Sequence, residues 1–142
     1  MTRYKRILVG VDESKDAVMA LDAAIQLAKR DAAELVIVRV LEKERLNIYQ
    51  TLDSDYLRGE HDELKQQLRQ YRRQALAAGV SDVRMMLTSG SPGESIVKDV
   101  IPDVKPDVLV IGALTKHGLS RHFGSQAAYM AKYAPITVIV VR

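Results

Sequence analysis

Short aliphatic runs alternate with longer helical patterns along the chain, and this alternation limits the possible folds more than any other feature. Four continuous runs of Val, Ile and Leu are typical of strands covered on both faces; they lie at residues 7–11, 35–41, 108–111 and 136–141. A weaker fifth run at 83–87 contains an arginine, which indicates a sheet edge or one wet face. The sequence therefore predicts five strands.

Helical patterns separate these runs. Each has an apolar stripe at steps of three and four, and most carry a cap or a stop signal. Helices are predicted to start after Ser14, to span residues 57–78 with Gly79 as the stop, to run from Ser91 to a closing Pro102, and to cover 125–133. The strand and helix order implies right-handed crossovers and an open parallel sheet of the α/β class.

The 142 residues, 47% of them hydrophobic, have the size of one ordinary domain, so residues 1–142 are predicted to form a single domain. The long charged connection at 42–55 is expected to cover or gate a crevice, or simply to be mobile. Neither a composition shift nor an internal repeat divides the chain.

Composition excludes several classes of function. The net charge of +3 leaves no basic tail, so we expect no nucleic acid partner. With no cysteine, the chain forms no disulfide and no thiolate metal site. The apolar run at 7–11 is too short for a signal peptide and nothing has the length of a membrane span, so a cytoplasmic protein without membrane contact is expected.

Ligands of open parallel sheets lie beyond the carboxyl ends of the strands. Here a buried strand runs into a glycine-punctuated loop that reaches Gly124-Ser125 at a helix start, an arrangement that favours phosphate. Lys116, His117 and Arg121 make this loop positive, which suits either a polyphosphate contact or a solvated turn. Asp12 could accept from a ribose hydroxyl or hold a cation's water, or it could be a carboxylate that favours the helix start beside Ser14.

Other nucleotide and catalytic motifs are missing. The first strand is followed by neither Gly-x-Gly-x-x-Gly nor a P-loop, and the third strand lacks the terminal aspartate of a phosphoacceptor receiver domain. Neither a Ser-His-Asp order nor a Gly-x-Ser-x-Gly elbow is present, so no catalytic residue is assigned. His117 and His122 lie five residues apart without another ligand nearby, so no metal site is predicted.

Several segments taken together resemble the universal stress protein family from end to end: residues 7–14, 90–96, 106–112, 118–121, 124–125 and 134–141. The resemblance implies an open Rossmann-like sheet of order 3-2-1-4-5 with helices on both faces, similar to the adenine nucleotide alpha-hydrolase fold. It also implies a homodimer joined through the last strand, at 136–141, and a role in stress survival. An unpaired apolar strand at 136–141 would itself be an aggregation hazard, which favours the same dimer.

ATP-binding members of that family share a motif in which Gly-x-x-Gly is followed by nine residues of any type and then by Gly and either Ser or Thr. Here Thr115 stands in place of the second glycine, only eight residues separate it from Gly124, and Gln126 replaces a usual apolar neighbour of the ligand. The phosphate half of the site is therefore predicted to be weakened. The resemblance implies adenine, ribose or phosphate contacts at Val11, Asp12, Val40, Ile111, Gly112, Gly124 and Ser125. Thr115, at the position of the second glycine, is a further candidate for nucleotide contact.

The expectation from sequence is a cytoplasmic, homodimeric regulatory or protective module that binds ATP or another adenine nucleotide in a crevice. One alternative is a slow nucleotide hydrolase in which Asp12 holds a divalent cation, although no residue is an evident base. Another is an interaction protein that binds no nucleotide. The client proteins and the stress are not indicated by the sequence.

Overall fold

The computed structural model describes residues 3–12, 14–42, 54–113 and 124–142, with side chains from residue 61 onward in the third stretch. Strands and helices alternate as predicted. The strands are β1 (Arg6–Val11), β2 (Glu34–Leu41), β3 (Val83–Ser89), β4 (Val108–Gly112) and β5 (Thr137–Val141). The helices are α1 (Lys15–Asp31), α2 (Ser54–Ala78), α3 (Pro92–Ser95), π1 (Ile96–Val100), α4 (Ile101–Val104) and α5 (Ser125–Tyr133).

The five strands form one parallel sheet of order β3-β2-β1-β4-β5, so the predicted fold class and strand order are confirmed. β3 lies at one edge, as its arginine indicated. The chain winds outward from β1 through β2 to β3 and then returns to the opposite side of β1 at β4. The helices that leave β1 and β4 therefore diverge, which opens a space at the carboxyl ends of these two strands.

Side chains on alternate positions of the strands build two cores, one on each face of the sheet. Ile7, Val9 and Ile37 pack with α1 and α2, whereas Leu8 and Val38 pack with π1, α4 and α5. All of these side chains are buried. The strands are covered on both faces, which explains why their sequences are continuous aliphatic runs rather than alternating ones.

α1 begins and ends as its sequence predicts. Ser14 Oγ accepts a hydrogen bond from the Ala17 N–H at 3.1 Å and caps the first turn. The last turn closes at Ala32, which has a left-handed φ of 53° and donates to the carbonyls of Ala28 and Lys29. The Ser14 cap fixes the start of α1 next to the carboxyl end of β1.

The prediction that Pro102 closes the third helix is wrong. The helical path starts at Pro92, passes through the π turn of Ile96–Val100, and ends at Val104 before the left-handed Lys105. The residues before Pro102 keep helical φ and ψ, and the Ile101 N–H bonds to the Ile96 carbonyl across the wider π turn. A proline donates no hydrogen bond, and the π turn means that the i→i−4 pattern is already interrupted just before Pro102.

Candidate functional site

A crevice of about 260 Å³ opens at the carboxyl edge of the sheet, where β1, β2 and β4 end. The first turns of α3 and α5 complete its walls, since Pro92 and Ser125 both line it. This is the position that the winding of a parallel sheet predicts for a ligand.

The structure brings together seven of the residues predicted from sequence. They come from three neighbouring strands and from the start of α5, and they all line the crevice: Val11, Asp12, Val40, Ile111, Gly112, Gly124 and Ser125. The other predicted contacts, Thr115, Lys116, His117 and Arg121, lie outside the described residues. The described part of the crevice therefore comprises its strand ends and helix starts.

Much of the crevice lining is apolar, although the buried Arg39 of β2 also belongs to it. Val11, Val40 and Ile111 are buried at the strand ends, and Ala127 and Met130 of α5 line the same crevice. Aliphatic and thioether groups of this kind make van der Waals contact with a flat apolar ring without imposing hydrogen bonds on it. This part of the lining is suited to a heteroaromatic base.

Asp12 lies at the rim, just before α1. Its Oδ1 accepts a hydrogen bond from the Ser14 N–H at 2.7 Å, so the carboxylate holds the turn that leads into the helix. The residue is exposed, and no described group donates to its Oδ2. Asp12 therefore supports the helix start and can still accept a hydrogen bond from a ligand hydroxyl.

The start of α5 is fixed to the end of β4. The Gly124 N–H donates to the Ala113 carbonyl at 2.7 Å, and the Ala113 N–H donates to the Val141 carbonyl at 3.0 Å. The N–H groups of Ser125, Gln126 and Ala127 belong to the first turn of α5 and have no intrahelical acceptor. With no acidic side chain in that turn, the positive end of the helix faces the crevice mouth and favours an anion.

Gly112 has a packing role that the sequence did not reveal. A Cβ built on Gly112 would lie 2.7 Å from Asp16 Cβ and 2.9 Å from the Asp16 carbonyl carbon. The glycine therefore allows α1 to approach β4 closely. Gly10 behaves differently, because its added Cβ would meet only the ends of two side chains, Ile96 Cδ1 at 3.2 Å and Ile111 Cγ2 at 3.6 Å.

Sequence reasoning missed several crevice residues, among them Arg39, Pro92, Ile96 and Met130. Arg39 had a usable signal, since a charged residue inside a doubly covered strand requires a polar environment, and it is only 6% exposed. The others carried no such signal. Ile96 reaches the crevice because the crossover helix enters its π turn at that residue.

Within the described stretches, no group of three or more histidine, aspartate or glutamate side chains converges as metal ligands would. The same stretches contain no helix long and apolar enough to cross a membrane.

Two carboxylates with lowered pKa values lie at the opposite, amino end of the sheet. The hydrogen bonds from Arg30 and from the Tyr4 N–H lower the pKa of Asp31 to about 2. Burial raises the pKa of Glu34, but the hydrogen bonds and charges of Arg6 and Arg84 outweigh it and lower the pKa overall. These groups hold strand and helix ends together and take no part in the crevice.

Comparison with known proteins identifies the family. The model of the universal stress protein family matches residues 3–142. The chain belongs to the universal stress protein family. A protein of Staphylococcus aureus (strain USA300) whose name assigns it to the universal stress proteins is 32% identical over 143 residues, covering all of this chain and 86% of the relative.

Solved universal stress protein structures share the fold. The UspA protein of Lactobacillus plantarum is 27% identical with a TM-score of 0.88, and the alignment covers 100% of both chains. A universal stress protein in complex with cAMP is 27% identical with a TM-score of 0.76, and the alignment covers 99% of both chains. The family and the Rossmann-like fold expected from the sequence are both confirmed.

Proposed function

We propose that this universal stress protein is a cytoplasmic regulatory or protective module that binds an adenine nucleotide. The observation that carries the proposal is the convergence of strand ends and helix starts on one crevice. Apolar strand ends, an exposed carboxylate and a helix N-terminus all line this crevice, and they suit the base, the ribose and the phosphate of a nucleotide. A family member bound to cAMP adds support, since cAMP contains the same three parts.

In this proposal each part of the ligand meets a group suited to it. The base lies against Val11, Val40 and Ile111 and makes van der Waals contact with them. Asp12 accepts a hydrogen bond from the ribose, and the first turn of α5 at Ser125 receives a phosphate. The adenine nucleotide is a ligand that regulates the protein, because the sequence offers no evident catalytic base.

We expect ATP to bind with a Kd of roughly 10 to 100 μM or weaker, about −5.5 to −7 kcal/mol. Thr115 and the loop that is one residue shorter than in ATP-binding relatives reduce the contacts available to the outer phosphates. A nucleotide with one phosphate has no outer phosphates, so the shorter loop costs it little binding affinity. We therefore expect AMP to bind at least as tightly as ATP.

Calorimetric titration with AMP, ATP and GTP tests the proposal. AMP is expected to give saturable heat, ATP equal or weaker binding, and GTP at least tenfold weaker binding. Asp12→Asn keeps an oxygen for the Ser14 N–H but removes the charge, so it should weaken AMP binding about three- to tenfold while lowering stability by no more than about 1 kcal/mol. Asp22→Asn, on the exposed face of α1, is the matched control and should bind as wild type.

The absence of heat at millimolar AMP and ATP from folded protein would contradict the proposal and favour an interaction protein that binds no nucleotide. Equal binding of AMP and GTP would contradict the assignment of an adenine site. Steady release of phosphate from ATP would instead support the slow hydrolase.

We also propose that two copies pair through residues 136–141. β5 ends the strand order, so its outer edge has no strand partner within the described part of the chain. An apolar strand edge of this length tends to pair with another strand, and a second copy would satisfy its backbone N–H and C=O groups. Light scattering at micromolar concentration should give twice the chain mass.

Val138→Asp combined with Val140→Asp should give a monomer or an aggregate. Val18→Asp, at a 54% exposed position of α1, is the control for the added charge and for retention of the fold. A wild-type monomer that stays soluble at high concentration would contradict the dimer.

A further inference from the structure

Gln126 connects the two helix starts that form one wall of the crevice. It is the second residue of α5, and its Oε1 accepts a hydrogen bond from the Gly93 N–H of α3 at 2.7 Å. A Cβ at position 93 would lie 2.9 Å from that oxygen and 3.2 Å from the Gln126 carbonyl oxygen, so only glycine allows this approach. Gln126 therefore caps α3 from a different helix.

This role explains why the expected cap at Ser91 does not form. Ser91 occupies the N-cap position of α3, but its side chain makes no capping hydrogen bond. The Gly93 N–H is one of the helix-start donors that need an outside acceptor, and Gln126 supplies it. The carboxamide oxygen of Gln126 therefore serves to cap α3.

The same hydrogen bond fixes the orientation of the carboxamide. A backbone N–H can only donate, so the oxygen of Gln126 must face Gly93 and the NH₂ group must lie on the other branch of the amide. Within the described part of the chain, the bond to Gly93 is the only hydrogen bond of this side chain. The remaining polar group of Gln126, its NH₂ group, can only donate hydrogen bonds.

The wall around Gln126 makes this donor selective. Pro92, Ile96 and Met130, which line the same crevice as Gln126, have apolar side chains. Gln126 is exposed, so water satisfies its NH₂ group in the absence of ligand. A ligand that displaces this water without offering an acceptor leaves the donor unsatisfied, which is costly.

We propose that Gln126 is a specificity-determining residue that selects ligands presenting a hydrogen-bond acceptor to this wall of the crevice. The inference rests on the proposed nucleotide site. The acceptor is an adenine ring nitrogen or a phosphate oxygen, and the two are distinguished by comparing adenosine with AMP. Carboxamide oxygen and nitrogen have separate tasks, one in the fold and one in recognition.

Two substitutions separate these tasks. Gln126→Glu keeps an oxygen for the Gly93 N–H but replaces the donor by an acceptor, so the melting temperature should be retained while AMP affinity falls at least tenfold. Gln126→Met, of similar length, removes both groups, so it should lower the melting temperature and weaken AMP about threefold or more. Gln70→Glu, on the exposed face of α2, carries the same charge change and should bind as wild type.

Calorimetry with adenosine and AMP completes the test. If Gln126→Glu weakens both ligands equally, the acceptor is on the base; if it weakens AMP alone, the acceptor is on the phosphate, and both results support the proposal. AMP affinity within twofold of wild type in both Gln126 variants overturns it, as does an equal loss in Gln126→Glu and Gln70→Glu. A wild-type protein that binds neither ligand refutes the nucleotide site itself.

Discussion

Replacing Gly112 by alanine tests whether this glycine serves the packing of α1 or leaves space for a ligand. The added Cβ would lie 2.7 Å from Asp16 Cβ, 2.9 Å from the Asp16 carbonyl carbon and 3.1 Å from its oxygen. Two of these atoms are backbone, so the first turn of α1 must move away from β4. Overpacking of this kind costs about 1–3 kcal/mol.

Gly10→Ala is the matched control. Neither glycine has a positive φ, so alanine fits both backbones and reduces the entropy of the unfolded chain by a similar amount, worth about 0.4–1 kcal/mol of stability. At Gly10 the new methyl group meets only Ile96 Cδ1 and Ile111 Cγ2, at 3.2 and 3.6 Å, and these side-chain ends can shift. The two variants therefore differ mainly in what the added methyl group touches.

Urea unfolding should show Gly112→Ala to be about 1–2 kcal/mol less stable than wild type and Gly10→Ala to be within about 0.5 kcal/mol of it. The corresponding loss in melting temperature for Gly112→Ala is roughly 3–7 °C. Equal stability of the two variants, with loss of AMP binding in Gly112→Ala alone, would refute the packing argument and assign the glycine to the ligand.

Three further predictions concern other parts of the molecule. Asp31→Asn should lower the melting temperature at pH 7, and the difference from wild type should vanish as pH falls from about 4 to 2. The reason is that a carboxylate whose pKa is lowered by folding contributes stability only while it is charged. A difference that persists at pH 2 would contradict this. Leu68→Ala, which empties a buried site where α2 packs on the sheet, should cost about 2–5 kcal/mol in urea unfolding, whereas a cost below 1 kcal/mol would mean that α2 is loosely held. Thr115→Gly with one leucine inserted before Gly124 should raise ATP affinity about tenfold and leave adenosine affinity unchanged; equal gains for both ligands would place the effect at the base.

Sequence periodicity was sufficient for the fold because each element satisfies a local rule. The aliphatic run at 35–41 could only be a strand covered on both faces, and Ser14 could cap only a helix that begins at residue 15. The end of the third helix was predicted wrongly because a proline was taken to end a helix wherever it occurs. A π turn five residues long precedes Pro102, and nothing in the local sequence marks the switch in hydrogen bonding.

The candidate site was predictable where it depends on strand ends. Val11, Val40 and Ile111 are buried residues at or next to the carboxyl ends of predicted strands, so the rule for parallel sheets places them at one edge. The bond between Gln126 and Gly93 was not predictable, because it joins residues 33 positions apart whose closeness depends on how α3 and α5 pack. The packing role of Gly112 was not predictable for the same reason, since its contact with Asp16 exists only in the packed structure.

The central claim is that an adenine nucleotide binds at the carboxyl edge of the sheet. Titration of isotopically labelled protein with AMP, followed by amide chemical shifts, tests it residue by residue. Saturable shifts are expected at Val11, Val40, Ile111 and Ser125, with no change at Glu34 and Asp107 on the opposite edge. Unchanged spectra at millimolar AMP, or shifts confined to residues outside the crevice, would contradict it.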